Sequence, residues 1–181
     1  AKLWDLTGAN PSNPVTLNGH TNSVTSVDVG VSGATTFVVT GSSDQSIKVW
    51  KTDGTLYCTY LGFNGGSVDG HRASVTSVAM SADGTRVVSA SKEVRNADDT
   101  IALDGSIKTW VFDSAVPGNC VLAKGAMETL YPQRSDATLL RHVGAVNAIA
   151  LIGGDAKQIV SGSADQTVKI GSTPAVIAIE A

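Results

Sequence analysis

The chain has 181 residues, 42% of them apolar and 16% charged, which is too apolar and too lightly charged for disorder and long enough for a domain with a real core. A formal net charge of -3 gives no broad attraction to phosphate backbones or anionic lipid, so neither nucleic acid nor a membrane is expected as a partner. No apolar stretch approaches the roughly 20 residues needed to span a bilayer, and the N-terminus has no basic stretch followed by an apolar run.

In chain order, the first residues, "AKLWDL", have the form of the end of a unit that recurs later. "GHTNSVTSVDV" from Gly19 opens the first full copy, followed by a turn at Gly33, the run "TTFVVTGSSD" and a third run, "SIKVW". The second copy opens at Gly70 with "GHRASVTSVAM", turns at Asp83-Gly84, and continues through "TRVVSASK" to "SIKTW". The third opens at Arg141 with "RHVGAVNAIAL", turns at Gly153-Gly154, and continues through "KQIVSGSAD" to "TVKI". These runs are short, rich in β-branched residues and bounded by turn formers, and no helix-period amphipathicity occurs. The pattern predicts an all-β chain with three strands per copy and a looser fourth in each connecting segment.

Within the first strand of each copy, one face is predicted to carry Thr25, Val27 and Val29, then Thr76, Val78 and Met80, then Asn147, Ile149 and Leu151. The opposite face carries Val24, Ser26 and Asp28 and their counterparts, mostly smaller. Such alternation suits small sheets stacked around a tapering centre and favours radial repetition over a sandwich.

All three histidines, His20, His71 and His142, occupy one repeat position. Serine, histidine and aspartate together suggest acyl transfer, but no G-x-S-x-G elbow is present, and a triad is needed once whereas this set recurs three times. The stretch "GGSVDGHR" lacks the Lys-Ser or Lys-Thr of a phosphate loop. Histidine-to-acid spacings of 20 or more residues match no metal motif. No catalytic, cofactor-binding or metal-binding residue is assigned, and no cofactor is expected. Cys58 and Cys120 match no metal or redox spacing and read as thiols in a reducing compartment, which makes the expected location cytoplasmic.

The Gly-His pair, the strand, the Asp-Gly-type turn, the "VVSAS"-like strand, and an Asp with a Trp six residues later together resemble the repeat of WD-repeat β-propeller proteins. The resemblance implies four-stranded antiparallel blades, about three and a half of them here, as part of a larger ring of roughly seven. The end of one blade falls at 1–18, with blades at 19–63, 70–140 and 141–181. It implies a buried hydrogen-bond tetrad in each copy: His20, Thr40, Asp44 and Trp50, then His71, Ser89, Asp104 and Trp110, then His142, Ser161 and Asp165. The copies depart from the pattern at Trp50-Lys51, Trp110-Val111 and Ile170-Gly171, so the last blade lacks its tryptophan.

Spacing between copies points to insertions. Asp44 and Asp104 are 60 residues apart and Asp104 and Asp165 are 61 apart, against about 40–45 for this class of repeat. The extra residues fall at 64–69, at 93–103 and at about 113–137. The second, "EVRNADDTIAL", together with its flanking Lys92, carries Lys92, Glu93, Arg95, Asp98 and Asp99, a composition suited to polar contacts with a partner and poorly suited to a core. By resemblance it lies on a rim used for binding. The expected function is a non-catalytic scaffold for other proteins, within a multi-subunit complex. The alternatives are a structural subunit of a cytoskeletal or ribonucleoprotein assembly, or a propeller enzyme with its catalytic groups outside this segment.

Overall fold

The computed structural model describes residues 1–5, 14–62, 70–95, 101–103, 105–111, 142–153 and 158–172. Every regular element among them is a strand, and all pairings are antiparallel.

A two-stranded sheet, β1 (Lys2–Leu3) and β2 (Val15–Thr16), precedes the first blade. That blade is β3 (Val24–Ser32), β4 (Thr35–Ser42), β5 (Ile47–Lys51) and β6 (Leu56–Tyr60), hydrogen-bonded in chain order. The second blade is β7 (Val75–Met80), β8 (Arg86–Ser91) and β11 (Ile107–Val111). Between β8 and β11, β9 (Val94–Arg95) and β10 (Ile101–Leu103) form a separate hairpin. The third blade is β12 (Val146–Ile152), β13 (Gln158–Ser163) and β14 (Val168–Ser172). A fourth strand is described only in the first blade, and the segments expected to supply the others lie outside the described residues, as do 64–69 and 113–137.

The blades stack face on face. Val39, Ile47 and Val49 of the first blade are fully buried against Val75, Val78, Met80 and Val87 of the second. Val88, Ala90 and Ile107 repeat this packing against Val146 and Ile159 of the third. Each fully buried aliphatic side chain contributes about 1.5–3 kcal/mol, so the seams between blades are where burial concentrates. Gly41 lies in the first seam, where a Cβ would come within 2.6 Å of a Val75 methyl carbon.

The innermost strands β3, β7 and β12 depart from plain alternation. Each carries a register shift in its first residues, between Val24 and Ser26, between Val75 and Ser77, and between Val146 and Ala148. This bulge frees Thr25 from the face predicted for it: its hydroxyl donates to the Val75 carbonyl of the next blade at 2.6 Å. Thr76 repeats the bond to the Val146 carbonyl.

Two expectations are corrected. Cys58 is disulfide-bonded and carries no free thiol, while Cys120 lies outside the described residues. Separation along a chain says little about proximity when successive copies stack side by side. The pairing Ile159↔Gly171, matching Val38↔Trp50, also puts Gly171, and not Ile170, at the position of the missing tryptophan.

Candidate functional site

The polar residues that recur in sequence meet at one end of each blade, where the segment before the innermost strand crosses the turn between the second and third strands. In the first blade, Trp50 Nε1 donates to Thr40 Oγ1 at 2.8 Å, and Thr40 Oγ1 lies 2.8 Å from His20 Nε2. His20 Nδ1 lies 2.9 Å from Asp44 Oδ2. With the ring proton on Nδ1, Thr40 accepts from the indole and donates to Nε2, and His20 donates to the carboxylate, so every member is satisfied. Trp50 is fully buried, with Val38 and Leu17 around its ring.

Asp44 is held by more than its histidine. The Thr21 N–H donates to Oδ2 at 2.9 Å, while the Ser46 N–H and hydroxyl donate to Oδ1 at 2.9 and 2.6 Å. Burial opposes the charged carboxylate, but the Ser46, Thr21 and His20 bonds outweigh it and hold its pKa well below the usual range. Burial is also the largest influence on His20, lowering its pKa despite the neighbouring Asp44. The turn is tight enough to hold Gln45 at a φ of 71°, in the left-handed region.

The third blade repeats this arrangement. His142 Nδ1 lies 2.9 Å from Asp165 Oδ2 and its Nε2 lies 2.8 Å from Ser161 Oγ. Thr167 donates through both its N–H and its hydroxyl to Asp165 Oδ1, and Gln166 is left-handed as Gln45 is. Gly171 offers no indole, so Ser161 lacks the Trp donor that Thr40 has.

The second blade differs. Trp110 Nε1 donates to Ser89 Oγ at 2.8 Å, and Ser89 Oγ lies 2.6 Å from His71 Nε2. Opposite Nδ1, at 2.9 Å, is the Ser106 hydroxyl, which also meets Ser91 Oγ at 3.0 Å. Asp104, the acid expected there, lies outside the described residues. His71 is 1% exposed; burial, with a smaller contribution from Lys108, drives its pKa down to about 3, so the ring is neutral across the physiological range.

Ser46, Ser106 and Thr167 were not among the residues assigned from sequence. Their signal was present in the column "DQS", "DGS" and "DQT": a hydroxyl two residues after the acid in all three copies.

None of these hydroxyls is presented as a nucleophile. Thr40, Ser89 and Ser161 are buried, and each is bonded to its histidine. Among the described residues, no group of three or more His, Cys, Asp or Glu side chains could hold a metal ion.

A second set of polar contacts joins the blades. The Val78 N–H donates to Ser26 Oγ at 3.1 Å and the Met80 N–H to Asp28 Oδ2 at 2.8 Å. One blade further on, the Ile149 N–H donates to Ser77 Oγ at 3.2 Å. These strands line an open recess of about 430 Å³.

Of the sequence-assigned contact residues, Lys92 is exposed and Glu93 half-buried at the base of the β9–β10 hairpin. Arg95 lies in β9, paired with Ile101. Asp98 and Asp99 lie outside the described residues. The insertion at 93–103, expected as a loop, thus includes a strand pair.

No curated protein matches the chain. The family described as WD domain, G-beta repeat matches residues 12–51, 63–110 and 134–170, more than half of the sequence. With three matched repeats over antiparallel blades that stack on one another, the chain belongs to the WD-repeat family.

Proposed function

We propose that this chain is a non-catalytic scaffold that binds other proteins within a multi-subunit complex, with the β9–β10 insertion as a contact element. The observation that carries the proposal is that β9 and β10 pair with each other and, among the described residues, join no blade sheet. The blade closes through β8 and β11 without them, so the hairpin is dispensable to the fold and available for recognition. Its Lys92, Glu93 and Arg95, with Asp98 and Asp99, supply charges of both signs, which suits a polar, orientation-specific contact. The histidine sets support the non-catalytic part of the proposal, because their hydrogen-bonding capacity is used inside each blade.

The test is excision of residues 93–103 followed by affinity purification from the source cells. Loss of a stoichiometric partner, or at least tenfold weaker binding (about 1.4 kcal/mol) in a folded variant, is expected. Unchanged binding would make the hairpin a passive insertion, and turnover in a broad substrate screen would overturn the scaffold reading.

The proposed site of action is the cytoplasm, with the Cys58 disulfide as the observation that stands against it, since disulfides persist in oxidising compartments. Thiol trapping at lysis decides: a reduced Cys58 in cells supports the cytoplasm, and an oxidised one moves the scaffold to an oxidising compartment.

A further inference from the structure

We infer that Asn18-Gly19 is a self-modification site, where water converts the asparagine through a succinimide to isoaspartate and so disconnects the histidine set of the first blade. The site is separate from the β9–β10 insertion and does not rest on the proposed function.

The fold itself sets up the pair. Gly19 has a φ of 149°, a conformation that L side chains rarely adopt, and a Cβ there would lie 3.3 Å from Trp50 Cη2. Position 19 therefore requires glycine. Glycine is also the residue that leaves its own nitrogen least shielded from the side chain before it, because no Cβ crowds the approach. Asn18 and Gly19 are both exposed, and among the described residues no hydrogen bond ties the Asn18 amide or the Gly19 N–H. Lys48 runs past the same spot, with its Cε 3.9 Å from where that Cβ would stand. Its positive charge favours both the ionised nitrogen that attacks and the carboxylate that results.

The chemistry needs only water. The Gly19 nitrogen attacks Asn18 Cγ, a C–N bond forms, and the side-chain nitrogen leaves as ammonia with the Gly19 proton. Water then opens the cyclic imide. Breaking the bond from the imide nitrogen to Cγ gives aspartate. Breaking the bond to the main-chain carbonyl carbon gives isoaspartate, whose backbone runs through Cβ and Cγ and is longer by one methylene. Either product carries a carboxylate in place of the neutral amide.

That methylene falls between two fixed points. Leu17 is 4% exposed and packs on Val38 and Trp50. His20 is held at both ring nitrogens, by Asp44 and Thr40, and the Thr21 N–H is held by Asp44. Only Asn18 and Gly19 join these anchors, and the Trp50 ring against Gly19 blocks inward movement of the longer chain. The extra length is therefore taken up at His20, whose ring leaves Asp44. The third copy has Leu140-Arg141 before His142, a pair that forms no succinimide, so His142 is an internal control.

The test incubates the full chain beside a synthetic peptide of residues 14–24 at neutral pH. Mass spectrometry with electron-transfer fragmentation then separates isoaspartate from aspartate. Because neither reacting group is tied in the fold, Asn18 in the chain is expected to convert within tenfold of the peptide rate, a barrier difference of about 1.4 kcal/mol. In the isoaspartate product the hydrogen-bonded Nδ1–H resonance of His20 is expected to be lost while that of His142 stays. Asn18→Gln, a change at an exposed position, is expected to keep both through the same incubation. Three results would each overturn the inference: conversion slowed more than tenfold by the fold, an isoaspartate product that keeps the His20 resonance, or the same loss in fresh Asn18→Asp, where the charge is present and the backbone is not lengthened.

Discussion

Acidification tests the reading of His71 as a neutral structural residue. The imidazole is 1% exposed and its pKa falls to about 3, whereas the unfolded chain titrates it near 6.5. The folded pKa is the lower one, so below pH 6.5 the unfolded state binds the extra proton. The stabilisation is then complete above pH 6.5 and declines as pH falls toward 3. Its slope is about 1.4 kcal/mol per pH unit, giving a loss of about 3 kcal/mol between pH 6.5 and 4.5 and a ceiling of about 5 kcal/mol by pH 3. His20, also lowered by burial, adds in the same direction. Asp44 and Asp165 lose their contributions only below the ordinary carboxylate pKa, near pH 4, so the interval from 6.5 to 4.5 isolates the histidines. Urea unfolding, followed by tryptophan fluorescence across this interval, should show the slope in the parent chain. His71→Gln should be less stable at pH 7 but visibly flatter. Equal slopes in the two proteins would refute the assignment of the pH dependence to this ring.

Trp110→Phe keeps most of the ring burial but removes the donor to Ser89, and should cost about 1–3 kcal/mol by urea unfolding; a loss below 0.5 kcal/mol would mean that Ser89 has another donor. Gly41→Ala should cost about 1–3 kcal/mol by forcing the first seam apart, since its Cβ would sit 2.6 Å from Val75. Hydrogen exchange should then rise along β4 and β7 while β13 is unchanged, and a uniform rise would count against a local clash.

The strands and the stacking of copies were legible because turn residues and β-branched runs recur at fixed offsets. His20 and Trp50 stand out as columns because the chain has three histidines and three tryptophans, whereas Thr40 and Asp44 are named through the resemblance to the WD repeat. Ser46 and its equivalents do not stand out, because serine and threonine fill so many turns that a column of them looks like background. The bulges that turn Thr25 and Thr76 toward the next blade left no mark in period-two counting, which assumes an unbroken pleat. The place of Gly171 was off by one because an unpaired third run carries no register of its own; the ladder with β13 supplied it.

The two polar systems fix different things, and the copies keep the histidine sets while the acceptors between blades fall away. The histidine sets tie the second and third strands of a blade to the segment that enters it, whereas Ser26, Asp28 and Ser77 tie one blade to the next. From first blade to third the tryptophan position runs Trp50, Trp110, Gly171, and the two acceptor positions run Ser26 and Asp28, Ser77 and Ala79, Ala148 and Ala150. The first seam is therefore the most tightly specified, with two side-chain acceptors aimed at buried backbone N–H groups. Ser26→Ala with Asp28→Ala would leave the Val78 and Met80 amides unpaired in residues that are 5% and 6% exposed, at about 1–3 kcal/mol each. Ser77→Ala strands only the Ile149 N–H and should cost about half as much. Amide exchange at Val78 and Met80 should quicken in the first variant and at Ile149 in the second, with the histidine networks intact by imidazole NMR. Equal losses from the two variants, or exchange that rises instead around His20 and Asp44, would show that the seams and the tetrads are one network and not two.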